Sequence, residues 1–163
     1  MFSKVLVPID GSEHSFKALE VAIEIAKRFN GRLTLLYVSS LSLIPLVAPE
    51  TPFIASTPIV NPSEFVRLRE AERKTAEELL SRAQGMARER GIDAEKMMRE
   101  GHVVQEIVRA AREGDHDLIV MGTRGMSRIR ELLLGSVAEG VVRHAPCSVL
   151  VVRSGEEQAD SHR

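Results

Sequence analysis

The sequence contains a single cysteine, Cys147, among its 163 residues. One thiol cannot build an intramolecular disulfide framework or a thiolate zinc site, and low cysteine usage is typical of a reducing compartment. The five histidines are scattered without the spacing of metal ligands. Cys147 lies in an apolar run, so we expect a small packed residue there rather than a reactive thiol.

The chain also lacks an excess of charge and a long hydrophobic run. It has 22 Lys and Arg against 23 Asp and Glu, a net charge of −1, whereas binding a phosphate backbone requires a basic surface. The apolar run from Val5 to Ile9 is too short for a signal peptide, and prolines interrupt the apolar segment 39–62. We therefore expect a cytoplasmic protein without nucleic-acid partners or a membrane span.

Short apolar runs alternate with helical patterns, as in a parallel sheet covered by crossover helices. The patterns predict strands over 4–9, 32–38, 94–100, 117–122 and 147–152. They predict helices over 12–30 and 62–91, a helix ending at Gly114, a short helix, and a helix over 136–144. Right-handed crossovers then favour one α/β domain over 1–153, an open five-stranded sheet of order 3-2-1-4-5 with helices on both faces. Residues 154–163 are predicted to be a polar tail.

Segment 39–62 holds five of the seven prolines among many apolar residues. A connection this long is usually a lid, a docking segment or a disordered insertion, and the sequence leaves these open. The helix after it has a strong start signal, with Asn61 as N-cap, Pro62 at the first helical position and Glu64 placed to reach back to the cap. Its apolar stripe begins with Phe65 and Leu68.

Ligands of such a sheet bind where the chain reverses its winding, here between the first and fourth strands. The residues there are 8–12 and 121–125. Gly122 and Gly125 can leave N–H groups bare toward a phosphate, and Gly135 and Ser136 open a helix whose positive end faces the same crevice. Alternatively, the glycines are turn residues and Ser136 forms a capping box with Glu139.

Asp10, Gly11 and Ser12 lie on the other side of the predicted crevice. The Asp10 carboxylate could accept a hydrogen bond from an adenine amino group or a ribose hydroxyl, or hold a metal ion. The alternative is a turn followed by a helix N-cap.

A wider pattern joins these residues: Gly122, two residues, Gly125, nine residues, then Gly135 and Ser136. With the opening VLVPIDGSEHS, the strand DLIVMG and the ending HAPCSVLVV, the chain resembles the ATP-binding branch of the universal stress proteins. The resemblance implies an adenine nucleotide alpha hydrolase-like fold and spans nearly all of the domain except the proline-rich segment.

The resemblance implies roles for individual residues. Asp10 and the main chain of Val38 would contact adenine, and Pro8 and Gly122 would lie near the ribose. The remaining implied positions are the pocket-lining Met121 and the phosphate-binding Gly125, Gly135, Ser136 and Val137. Mg²⁺ or Mn²⁺ would bridge phosphate oxygens. Arg124 would either add a charge-assisted phosphate contact or point into solvent.

The function implied is an ATP-binding, switch-like regulatory protein in stress response, and a homodimer formed through the last strand, Cys147 to Val152. One alternative is a slow ATP hydrolase or nucleotidyl transferase of the same fold. Against it, no side chain is predicted to act as a general base beside the γ-phosphate, and the signature loops of adenylylating relatives are missing. The other alternative is an interaction module without a ligand.

Overall fold

The computed structural model describes residues 1–41, 61–123 and 134–154. Their elements follow in the order β1 (Lys4–Pro8), α1 (Glu13–Phe29), β2 (Arg32–Ser39), α2 (Pro62–Glu89), β3 (Ala94–Glu100), α3 (Val103–Glu113), β4 (Leu118–Gly122), α4 (Ser136–His144) and β5 (Ser148–Val152). The short helix predicted before α4, most of segment 39–62 and the tail beyond Ser154 lie outside the described residues.

The five strands form one parallel sheet of order β3-β2-β1-β4-β5. This confirms the predicted topology. β1 lies in the centre, with Lys4–Pro8 paired to Arg32–Leu36 of β2 on one side and Val5 paired to Leu118 of β4 on the other. The reversal of winding therefore falls between β1 and β4, as the sequence predicted.

Alternate side chains of the central strands enter two separate hydrophobic layers, because successive residues of a strand point to opposite faces. One layer packs against α1 and α2 and includes Val5, Val7, Leu35, Leu19 and Leu80. The other packs against α3 and α4 and includes Leu6, Leu36, Ile107, Ile119 and Val141. With a layer on each face, the central strands are as buried as their continuous apolar sequences predict.

The helix starts show which capping predictions hold. Ser12 is the N-cap of α1 and its Oγ atom accepts a hydrogen bond from the Ser15 amide at 3.1 Å. Asn61 is the N-cap of α2, as predicted, and its Oδ1 atom accepts a hydrogen bond from the Ser63 amide at 3.1 Å. The predicted return bond from the Glu64 side chain to the Asn61 amide is not seen among the described residues.

The first half of α2 departs from its predicted apolar stripe. Leu68 is 43% exposed, and the residues that α2 buries completely begin at Ala76. Small residues, Ala76, Ala83 and Ala87, let the second half approach the sheet closely. At the end of α1, Phe29 is another large apolar residue that is partly exposed, by 42%. Its ring makes an edge-to-face contact with the ring of Phe2.

Candidate functional site

The carboxyl ends of β1, β2 and β4 and the start of α4 lie at one edge of the sheet. From this edge the chain crosses to α1 on one face and to α4 on the other, because α1 packs in one hydrophobic layer and α4 in the opposite one. The edge therefore opens between β1 and β4 into the crevice where parallel α/β sheets bind ligands.

Asp10 forms the turn that joins β1 to α1. Its Oδ1 atom accepts hydrogen bonds from the Ser12 amide at 2.9 Å and from the Ser12 hydroxyl at 2.5 Å. Gly11 between them has φ +86°, a left-handed conformation that favours glycine. The turn-and-cap alternative is thus present in the structure. Asp10 is exposed and Oδ1 takes both of these bonds, so Oδ2 has no partner among the described residues.

Val38 presents main-chain groups toward the crevice. Hydrogen bonds of a parallel strand alternate between its two neighbours. On β2, the Leu36 carbonyl accepts from the Ile9 amide of the β1 side, and the Ser39 carbonyl accepts from the Gly101 amide after β3. Val38 therefore points its N–H and C=O toward β1, which has already ended at Pro8. Among the described residues, no backbone bond joins Val38 to residues 9–11.

Gly122, the last residue of β4, is buried against α1. A Cβ atom here would lie 2.6 Å from the His14 Cβ atom and 2.9 Å from the His14 carbonyl carbon and oxygen. Such distances do not occur for real Cβ atoms. Glycine is therefore required at this position by the approach of β4 to the first turn of α1. Gly122 is a strand residue and not the turn residue of the alternative interpretation.

Thr123 links three elements at the carboxyl edge. Its amide donates to the Val152 carbonyl at 3.1 Å, and its carbonyl accepts from the Gly135 amide at 2.7 Å. Gly135 is thus fixed beside β4, and its own N–H is already used. Of the predicted phosphate-binding residues, Gly135 cannot act as a free donor in this arrangement.

Gly135, not Ser136, is the N-cap of α4, with φ −68° and ψ 159°. No side-chain bond caps this helix, so the capping box predicted as an alternative for Ser136 and Glu139 is wrong. Glu139 instead pairs with Arg143 at 3.1 Å, one turn further along. The first N–H groups of α4, on Ser136, Val137 and Ala138, have no partner within the helix and carry its positive dipole end.

Met121 is only 5% exposed and belongs to the layer against which Val38 and Val137 also pack. It forms the floor beneath the crevice rather than an open wall. Pro8 is half-buried at the end of β1. The structure therefore brings together Pro8, Asp10, Val38, Met121, Gly122, Gly135, Ser136 and Val137. Arg124 and Gly125 lie outside the described residues.

A polar cluster that was not predicted from the sequence lies behind Val38. The Tyr37 hydroxyl donates to Glu72 Oε1 at 3.3 Å, and the Ser39 hydroxyl donates to Glu72 Oε2 at 2.5 Å. Burial first, and then the negative charges of Glu72 and Asp10, raise the pKa of Tyr37 to about 12. The signal available in the sequence was the polar pair Tyr37 and Ser39 on one face of an otherwise apolar strand.

Metal ligands are sparse in residues 1–41, 61–123 and 134–154. These ranges contain no group of three or more His, Cys, Asp or Glu side chains that could hold an ion.

The opposite edge of the sheet carries a half-open cavity of about 950 Å³, lined in part by Lys4, Arg32, Asp93 and His116. His116 Nε2 lies 3.0 Å from the Thr34 hydroxyl, and burial lowers the pKa of the imidazole. The backbone of Ala110 and Ala111 has a smaller, opposite effect on this pKa, and the buried Nδ1 atom has no hydrogen-bond partner among the described residues. We interpret His116 as a structural link between β2 and the end of α3.

β5 is an edge strand with exposed apolar groups. Leu150 is 38% exposed and Val142 of the adjacent α4 is 49% exposed. Cys147 is half-buried against the α3 and α4 layer, and burial raises the pKa of its thiol. This is the packed environment predicted for the cysteine. Among the described helices, none combines the length and apolar character of a membrane span.

Comparison with known proteins identifies the family. A sequence model described as the universal stress protein family matches residues 1–153. The chain belongs to the universal stress protein family. Universal stress protein YxiE of Bacillus subtilis is 35% identical over 154 residues, covering 94% of this chain and all of YxiE.

Two solved structures of universal stress proteins show the same fold. UspA from Lactobacillus plantarum has a TM-score of 0.75 and 28% identity, over 93% of this chain and 98% of UspA. A universal stress protein crystallised in complex with cAMP has a TM-score of 0.64 and 27% identity, over 93% of this chain and 97% of that protein. The family resemblance predicted from the glycine pattern is confirmed.

Proposed function

We propose that the protein is a nucleotide-dependent regulatory protein that binds ATP, with Mg²⁺ or Mn²⁺ on the phosphate oxygens, in the crevice between β1 and β4. One observation carries the proposal: the Val38 main chain and the first N–H groups of α4, which have no backbone partner among the described residues, lie at the same sheet edge, on the two sides of β1. A nucleobase edge needs a donor and an acceptor, and phosphates favour a helix N-terminus. The cAMP complex of a relative supports an adenine nucleotide as the ligand class.

The roles proposed for individual residues are those that the family resemblance implies, and the arrangement of the described residues is compatible with them. The Val38 N–H and C=O would pair with adenine, and Asp10 Oδ2 would accept from the amino group or a ribose hydroxyl. The amides of Ser136 and Val137 would donate to phosphate oxygens. Pro8 and Gly122 would border the ribose, and Met121 would support it from below. Arg124 and Gly125 would complete the phosphate contacts.

Gly135 would assist phosphate binding without donating its own amide to the phosphate. Since its amide donates to Thr123, it would act by letting a phosphate approach α4 without a side chain in between. An N-cap side chain lies beside the first N–H groups of its helix, where it reaches the second and third helical positions. The absence of a side chain at Gly135 therefore leaves these N–H groups accessible.

We further propose a cytoplasmic homodimer that pairs through β5. An uncovered edge strand with apolar side chains can pair with another chain, so proteins usually cover such strands. Leu150 and Val142 are exposed in the single chain. The backbone bond between Thr123 and Val152 joins this edge directly to the nucleotide crevice. Nucleotide binding would then change the stability of the dimer, and this change would be the regulatory role of the protein.

Titration with ATP, AMP and cAMP, each with and without Mg²⁺, tests the ligand class. We expect saturable binding of adenine nucleotides and only background phosphate release in a single-turnover assay with ATP. Phosphate release well above background would instead favour the slow hydrolase. Failure of all three nucleotides to bind would leave an interaction module without a ligand.

A further inference from the structure

Glu72 of α2 is bonded to both residues that flank Val38 on β2. The Tyr37 hydroxyl donates to Oε1 at 3.3 Å and the Ser39 hydroxyl donates to Oε2 at 2.5 Å. Residues 37 and 39 point to the same face of the sheet, since side chains alternate along a strand. One carboxylate on the helix therefore fixes the strand immediately before and immediately after Val38.

Glu72 uses both carboxylate oxygens for β2 rather than for a cation. In the part of the chain that the structure describes, it forms no ion pair. The nearby Arg69, one turn earlier on α2, is bonded to Glu100 with both carboxylate oxygens as acceptors. In the described ranges, the hydrogen-bond partners of this partly buried carboxylate are the two hydroxyl groups, so the position of Glu72 is coupled to the positions of Tyr37 and Ser39.

The end of β2 needs such an anchor. β1 has already ended at Pro8, so the side of β2 that carries the Val38 N–H and C=O has no neighbouring strand. On the β3 side, the Ser39 carbonyl is held by the Gly101 amide. Ser39 is 3% exposed, and its hydroxyl also accepts from the Leu41 amide at 3.4 Å.

We propose that Glu72 is a positioning residue for nucleobase recognition, which acts by holding the Val38 main chain in line with the base through Tyr37 and Ser39. This inference rests on the proposed function. Hydrogen-bond recognition of a base edge is sensitive to the alignment of its donor and acceptor. Glu72 would therefore govern the selectivity for adenine over guanine, while phosphate binding at α4 depends on residues at the far side of β1.

The experiment compares three probes on the intact chain: ATP, GTP and inorganic tripolyphosphate, each with Mg²⁺, measured by isothermal titration. In Glu72→Ala we expect ATP affinity to fall by about tenfold and the preference for ATP over GTP to narrow, with tripolyphosphate affinity unchanged. Glu72→Gln keeps one acceptor oxygen. Its ATP affinity and its preference for ATP over GTP should therefore lie between those of the wild type and those of Glu72→Ala. Glu78→Ala, on an exposed position of the same helix, should behave as the wild type.

Two milder variants test whether the loss of ATP affinity in Glu72→Ala results merely from unfolding. Tyr37→Phe and Ser39→Ala each remove one hydroxyl and one bond to Glu72, and each should lower ATP selectivity by a smaller factor. The inference is overturned if wild type binds ATP but Glu72→Ala leaves the preference for ATP over GTP intact, or weakens all three probes equally. Wild type that fails to bind ATP at all would instead overturn the proposed function on which the inference rests.

Discussion

Gly122 at the end of β4 lies directly against the backbone of His14 in the first turn of α1. A Cβ atom added at Gly122 would lie 2.9 Å from the His14 carbonyl oxygen, which is main chain and cannot rotate away. The Gly122→Ala variant must therefore push α1 from β4. We expect the free energy of unfolding to fall by about 1–3 kcal/mol, measured by denaturant titration.

A glycine in open space provides the control for this prediction. Gly85 lies within α2, and a Cβ atom there would meet nothing within 4 Å. Since alanine is the better helix former, Gly85→Ala should raise the free energy of unfolding by about 0.5–1 kcal/mol. Equal effects of the two substitutions would contradict the assigned role of Gly122.

Tyr37 is the only tyrosine of the chain, and tryptophan is absent, so its ionisation can be followed directly by ultraviolet absorbance. Burial and the charge of Glu72 raise its pKa from 10.0 to about 12. A raised folded-state pKa stabilises the protein below the unfolded value and loses this contribution as the pH rises through the folded value. We expect stability to decline between pH 10 and 12 partly through Tyr37.

Two variants identify the cause of that decline. Tyr37→Phe should remove this part of the alkaline pH dependence, because phenylalanine has no hydroxyl to ionise. Glu72→Gln should bring the tyrosine titration back toward its ordinary range. A tyrosine that titrates at its ordinary pKa in the folded wild type would show that its hydroxyl is not held by Glu72.

Ser12 caps α1 and supports the Asp10 turn with the same hydroxyl group. Ser12→Ala removes the acceptor for the Ser15 amide, and loss of an N-cap typically costs about 1 kcal/mol. We expect thermal unfolding at a lower temperature than in the wild type. Ser40→Ala, an exposed serine just after β2, should leave the unfolding temperature unchanged.

The predicted dimer can be tested at Leu150 of β5. Leu150→Arg places a charge on the proposed interface, where it would be buried without a partner, so we expect monomers in sedimentation velocity while the wild type sediments as a dimer. Val66→Arg alters an apolar residue on α2 that is even more exposed than Leu150, and it should leave the dimer intact. A monomeric wild type would contradict pairing through β5.

The sequence predicted the sheet because its strands are short, apolar and fully buried at the centre. In β1 and β4, every residue from Val5 to Val7 and from Leu118 to Gly122 is buried, which explains continuous apolar runs that are too short for a helix. The exposed Leu68 shows the limit of the same reasoning. The apolar stripe of a helix predicts which of its faces packs against the sheet. It does not predict the residue at which the helix, here α2, extends beyond the sheet.

The sequence placed Gly122 at the end of a strand and Gly135 at the start of a helix, where the structure has them, and their roles toward a ligand stay predictions. Sequence spacing could not show their contacts with His14 and Thr123, because these partners are distant in sequence or belong to the main chain. Glu72 was missed for a related reason. On a charged helix it looks like a solvated residue, and only the fold brings it to Tyr37 and Ser39.

The central claim, that the crevice binds an adenine nucleotide at the start of α4, is tested most directly by titration calorimetry of nucleotide-free protein with ATP and Mg²⁺, in wild type and in Gly135→Val. Gly135 has φ −68° and ψ 159°, which valine also adopts, so the variant should fold while its side chain covers the first N–H groups of the helix. We predict saturable binding by the wild type and its loss in the folded variant. Equal binding by both proteins would place the nucleotide elsewhere, and no binding by either would contradict the claim.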